Sequence, residues 1–90
     1  MYPITYLKYF RQRLNMSQDE LAERVNAVTG KHYNQTTISL IETKSRGVPD
    51  KTLQLIFDIL LEEAKASHID FPIRLKYWHL TDELRLEEVI

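Results

Sequence analysis

Ninety residues allow one compact domain with little left over, and 43% hydrophobic against 28% charged residues is a globular composition. Two glycines and three prolines favour helix over sheet. The absence of cysteine excludes disulfides, thiol catalysis and cysteine-ligated zinc. No apolar run approaches the roughly 18 residues of a membrane span, and the N-terminus lacks the pattern of a signal peptide, so a cytoplasmic protein is expected. The net charge of −1 hides an asymmetry. Residues 1–48 carry seven basic side chains against four acidic, a balance of +3, and residues 49–90 five against nine, a balance of −4. A basic half joined to an acidic half suits a chain of which only the first part faces a polyanion.

Thr5 is a reasonable N-cap for a first helix running to about Leu14, with Ile4, Leu7, Phe10, Arg11 and Leu14 on one face. Asn15 tolerates the left-handed conformation and stops it. Ser17 opens a second helix, Glu20 completes a capping box, and Met16 with Leu21 forms a hydrophobic staple. Leu21, Ala22, Val25 and Val28 make the buried face of that helix, and Gly30 ends it. Asn34 then caps a short helix through Thr43. At about 100° per residue this helix places Thr37, Ile38 and Ile41 on one side and Gln35, Thr36, Ser39, Leu40 and Thr43 on the other. The first side belongs in a core. The second is a row of amide, hydroxyl and methyl-rich groups able to touch base edges in a major groove. After a loop from Lys44 to Pro49, Asp50 caps a fourth helix starting at Lys51 and reaching about Ala66, with Leu53, Ile56, Phe57, Leu60 and Leu61 inward.

Residues 68–90 change period. Ile69, Phe71, Ile73, Leu75 and Tyr77 alternate with Asp70, Pro72, Arg74, Lys76 and Trp78, which suggests an extended segment and a hairpin turning at Thr81-Asp82. A short helix capped at Thr81 is the alternative. The expected organisation is therefore a mainly α, four- to five-helix domain over residues 1–66 with a C-terminal extension over 67–90.

The run Ser17-Gln18-Asp19-Glu20-Leu21-Ala22 after the Leu7…Arg11 helix, followed by Ile38-Ser39…Glu42 and Val48-Pro49, resembles the helix-turn-helix domain of the lambda-repressor and Cro class. The segment between Ala22 and Ile38 is longer than the common form, and there Gly30-Lys31-His32-Tyr33-Asn34-Gln35-Thr36-Thr37-Ile38 is similar to the POU-specific domain. The resemblance covers roughly residues 5–64. It implies double-stranded DNA as partner, with Gln18 beside Gln35, Gln18 on phosphate, Gln35 on an adenine edge and Thr36 on a neighbouring base. It also implies an Arg11–Glu42 pair joining the first and third helices. Ser39 and Leu40 complete the base-reading set; leucine stands where the POU-specific domain has a base-reading arginine, and its apolar side chain suits a thymine methyl. Lys31, Tyr33, Thr43, Lys44 and Arg46 are candidates for phosphate contact.

No nucleophile–base pair or metal-ligand spacing stands out, so neither enzyme activity nor a cofactor or metal is expected. Ile69, Phe71, Ile73, Leu75, Tyr77 and Trp78 offer more apolar surface than the helical domain needs, which points to a homodimer acting as a repressor on a two-fold symmetric operator; the alternative is that the segment folds back to cover its own domain. The rival reading is a protein-interaction module, an antitoxin or adaptor, that grips a protein partner through this acidic, aromatic segment.

Overall fold

Helix boundaries in this chain are set by side chains that satisfy the backbone groups a helix end leaves open. The computed structural model describes residues 4–70 and 75–83. Thr5 Oγ1 accepts from the Lys8 amide at 3.3 Å and starts α1 (Tyr6–Arg13). Ser17 Oγ accepts from the Glu20 amide at 3.0 Å and starts α2 (Gln18–Thr29). Asn34 Oδ1 accepts from the Thr37 amide at 2.9 Å and starts α3 (Gln35–Glu42). The Glu20 side chain makes no return bond among the described residues, so Ser17 caps alone rather than within a box. α4 (Asp50–Ala66) begins one residue earlier than expected: Pro49 holds the cap position without a side-chain bond, and Asp50 lies in the first turn, where its charge faces the positive end of the helix dipole.

The helix ends use left-handed residues. Gly30 has φ 71° and closes α2, while Asn15, Lys44 and His68 take φ 56°, 62° and 57° after α1, α3 and α4. Each of the latter three carries the paired bonds of a Schellman turn, for example Ser45 N–H to Leu40 C=O at 2.8 Å with Lys44 N–H to Ile41 C=O at 3.2 Å.

The main core gathers Leu7, Leu14, Met16, Leu21, Ala22, Val25, Ile38, Ile41, Leu53, Ile56, Ile59, Leu60, Ala64 and Leu80, so every helix contributes. Met16 and Leu21 share it as the staple requires. Three expectations about burial fail. Val28 is 59% exposed because the last turn of α2 runs past the helices that cover the rest of its stripe. Phe57 and Leu61 are half-buried, and Ile59 and Ala64 complete the inner face of α4 instead.

The C-terminal segment departs most from its reading. Among the described residues there is no strand. Tyr77–His79 form a single 3-10 turn where the alternation predicted extended chain, and Leu84 onward, with Phe71 and Ile73, lies outside the described residues. The reason is the start of α1. Its first amides have no partner within the helix, and the segment supplies them: Tyr6 N–H donates to Asp82 C=O at 3.1 Å and Leu7 N–H to Leu80 C=O at 2.8 Å. An isolated antiparallel bridge pairs Thr5 with Glu83. Leu80 is fully buried in the main core, and Leu75 closes a second cluster with Tyr6 and Phe10. Tyr77 and Ile69 pack against the core, and Trp78 is 53% exposed. Residues 75–83 are thus part of the helical body rather than an appendage.

Two substitutions separate these roles. Leu80→Ala should cost about 2–5 kcal/mol, the range for a buried leucine, whereas Asp82→Ala, at an exposed position whose structural bond comes from its backbone carbonyl, should stay within about 0.5 kcal/mol. Urea unfolding measures both. Equal effects would mean that the segment does not pack as described.

Candidate nucleic-acid interface

α3 is seated by charge as well as by apolar packing. Arg11, 7% exposed, projects from α1 and donates through Nε to Glu42 Oε2 at 2.5 Å and through NH2 to Oε1 at 3.2 Å; Glu42, at the end of α3, is 3% exposed. The remaining guanidinium nitrogen donates to Met16 C=O at 2.8 Å, in the turn between α1 and α2. Arg11 therefore ties three segments with one planar fork, a geometry that lysine cannot supply. Gln18 Nε2, on the first turn of α2, donates to the same Glu42 Oε1 at 2.9 Å. The expected Arg11–Glu42 pair is present. Gln18, implied to sit beside Gln35, is held by Glu42, and no bond joins the two glutamines among the described residues. Its amide keeps a second N–H for an outside acceptor.

The turn leading into α3 is braced by a residue that the sequence reading passed over. Asn26 Nδ2 donates to Tyr33 C=O and Asn26 Oδ1 accepts from Tyr33 N–H, both at 2.8 Å, which imitates a strand pair and clips the longer connection to α2. The sequence offers little signal for it: Asn26 follows Ala22 by one helical turn but lies at the polar edge of the apolar stripe, next to Thr29. Asn34 completes the brace by accepting from both the Thr37 amide and the Thr37 hydroxyl.

With Thr37, Ile38, Ile41 and Glu42 buried, α3 presents its opposite face. Gln35 and Thr36 are exposed and Ser39 is half-buried, and none of the three side chains has a hydrogen-bond partner among the described residues. Leu40 is 38% exposed and joins neither apolar cluster. Thr43 is exposed, and its hydroxyl bonds back to the helix.

Cations flank this face. Lys31 Nζ and the Arg46 guanidinium carbon lie 5.6 and 5.8 Å from the centre of the Tyr33 ring, close enough for cation–π attraction to hold both. Lys31 Nζ also reaches Thr52 Oγ1 at 3.3 Å, at the start of α4. Lys44 takes the left-handed position of the turn after α3, two residues before Arg46. Among the described residues the ion pairs are Arg11–Glu42 and Arg24–Glu63, so Lys31, Lys44 and Arg46 have no carboxylate opposite them. Hydrogen-bonding side chains on a helix fixed by the Arg11–Glu42 pair, with unpaired cations nearby, match the chemistry of base edges bordered by phosphates.

Residues 7–60 match the helix-turn-helix family. The chain belongs to that family. No curated protein and no solved structure matches it. Membership of this lambda-repressor-like helix-turn-helix family makes the chain a DNA-binding transcription regulator in broad class, and α2 and α3 are its two eponymous helices. No helix among the described residues is long and apolar enough to cross a membrane.

The buried pair yields a direct prediction. Arg11→Ala strands the Glu42 carboxylate and should lower stability by about 3–5 kcal/mol, as removal of one partner from a buried ion pair does. An unchanged melting temperature would show that the pair does not hold α3.

Proposed function

We propose that this protein is a sequence-specific repressor that lays α3 in the DNA major groove and acts as a homodimer on a two-fold symmetric operator. The observation that carries this reading is the outer row of Gln35, Thr36 and Ser39, whose side chains have no hydrogen-bond partner among the described residues although the helix behind them is fixed by a buried ion pair. Polar groups held in place without partners are set up for an external ligand, and base edges supply matching donors and acceptors. Gln35 pairs with adenine N6 and N7. Thr36 and Ser39 serve neighbouring bases, and Gln18 donates its second N–H to a phosphate. Lys31, Lys44 and Arg46, with Tyr33 between two of them, contact the backbone on either side.

Dimerisation is favoured by arithmetic. One helix-turn-helix unit with a balance of only +3 over residues 1–48 binds weakly alone, and two linked units gain through effective concentration. Trp78, 53% exposed beside the half-buried Tyr77, is the accessible part of the apolar set assigned to this contact, whereas Leu75 is closed over by its own chain. Two recognition helices would then stand about 34 Å apart, one turn of DNA.

Binding of duplexes selected from a random pool tests the reading. Affinity should fall steeply with salt, by close to one power of concentration per phosphate contact. Gln35→Ala should lose about 1–3 kcal/mol against the selected site, the worth of a bidentate base contact, with little change against unrelated duplex. A protein that selects no duplex at any salt concentration would be an interaction module instead.

A further inference from the structure

Thr43 first suggests a phosphate contact, being an exposed hydroxyl at the end of the recognition helix. Its hydroxyl is already engaged within the chain. Thr43 Oγ1 lies 3.1 Å from Ser39 C=O and 3.3 Å from Leu40 C=O, and 3.1 Å from Ser45 Oγ. A threonine hydroxyl has one proton to give. Whether that proton points to the helix carbonyls or to Ser45, it stays inside the chain. A phosphate oxygen can only accept, so Thr43 has nothing to offer it without breaking a bond already made. The group it has left for contact is its γ-methyl.

The position of that methyl gives it a use. At about 100° per residue Thr43 falls between Ser39 and Thr36 around the axis of α3, in the middle of the outer face, and it follows Leu40 by three residues, so the two side chains are neighbours. Leu40 is 38% exposed and outside both apolar clusters. The N-terminal half of the face is polar, with Gln35, Thr36 and Ser39, and the C-terminal half holds two adjacent apolar groups. The apolar group that a base edge offers in the major groove is the C5-methyl of thymine. A methylated cytosine carries the same group on the same ring carbon.

We propose that Leu40 and Thr43 together form a reader for the C5-methyl of a pyrimidine, making them the specificity-determining pair at the C-terminal end of the recognition helix. This rests on the DNA-binding reading above. It assigns Thr43 to base recognition through its methyl and removes it from the phosphate contacts.

The full-length protein is first used to select duplexes from a random pool. In the tightest of them each thymine is then replaced in turn by deoxyuridine, which removes the methyl alone. Affinity should fall about fourfold at one or two positions of the half-site, the value of one methyl group kept from water. Thr43→Val removes the hydroxyl and keeps a methyl at that place, and should retain both affinity and the thymine-to-uracil ratio. Thr43→Ser keeps the hydroxyl and removes the methyl, and should shrink that ratio, as should Leu40→Ala. The opposite pattern, with Thr43→Ser normal and Thr43→Val weak, would restore the phosphate role and overturn the proposal. So would selected sites indifferent to deoxyuridine at every position. Placing 5-methylcytosine and unmodified cytosine at the sensitive position separates the two sources of the methyl: a gain for 5-methylcytosine means that the methyl itself is read and that cytosine methylation controls occupancy, whereas no gain beside a persisting uracil defect makes thymine the ligand. Failure to select any duplex is a different result, because it removes the DNA-binding reading and this inference with it.

Discussion

The Arg11–Glu42 pair is the interaction on which the interface depends. A carboxylate at the end of α3 is buried to 3% exposure, which costs several kcal/mol per ion in desolvation unless good geometry and further hydrogen bonds offset it. Both conditions are met. The guanidinium meets both carboxylate oxygens, Gln18 meets one of them, and the third guanidinium nitrogen bonds to Met16 C=O. No buried side-chain polar atom among the described residues lacks a partner. Such a network adds little to stability compared with a well-packed apolar substitute. What it adds is direction, because α3 cannot rotate or slide without stranding a charge. The same carboxylate that fixes α3 also orients Gln18 on α2, so the first turn of α2 and the outer face of α3 share one anchor.

Arg11 in turn depends on α1, and α1 depends on the far end of the chain. The Leu80 and Asp82 carbonyls satisfy the first two amides of α1, and the buried Leu80 joins the core that supports α3. α1, α3 and residues 75–83 therefore share one core. The element in αL conformation nearest the interface is Lys44, a residue type that meets a steric cost there which glycine would not. A lysine in that turn, two residues before Arg46, puts positive charge at the C-terminal edge of α3.

Most of the helical frame was legible because its signals are local. Thr5, Ser17 and Asn34 cap helices by bonds that span three residues, and Gly30 and Asn15 end them by backbone preference, so composition at single positions was enough. The Arg11–Glu42 pair, separated by 31 residues, was legible only through resemblance to a known family. The C-terminal segment was misread because period-two alternation of aromatic and charged residues describes a side-chain pattern, whereas the Tyr77–His79 turn is held by backbone carbonyls that must reach α1. Nothing in a side-chain pattern records that demand. Asn26 was not legible because its partner is the Tyr33 backbone, seven residues on in the connection to α3, and no side-chain pattern records that bond.

On the DNA-binding reading, the buried carboxylate positions the outward side chains rather than merely stabilising the fold. Replacing both members of the pair by apolar residues of similar size, Arg11→Met with Glu42→Leu, tests it most directly, because removing both charges together avoids leaving one unpaired and preserves the fold. With stability retained, Gln18 loses its anchor, and a charge-assisted hydrogen bond worth about 1.5–3 kcal/mol no longer holds its amide toward the backbone. Affinity for a selected duplex should then fall by about tenfold or more while thermal unfolding stays cooperative. A folded double variant that binds with the affinity of the parent would contradict the account.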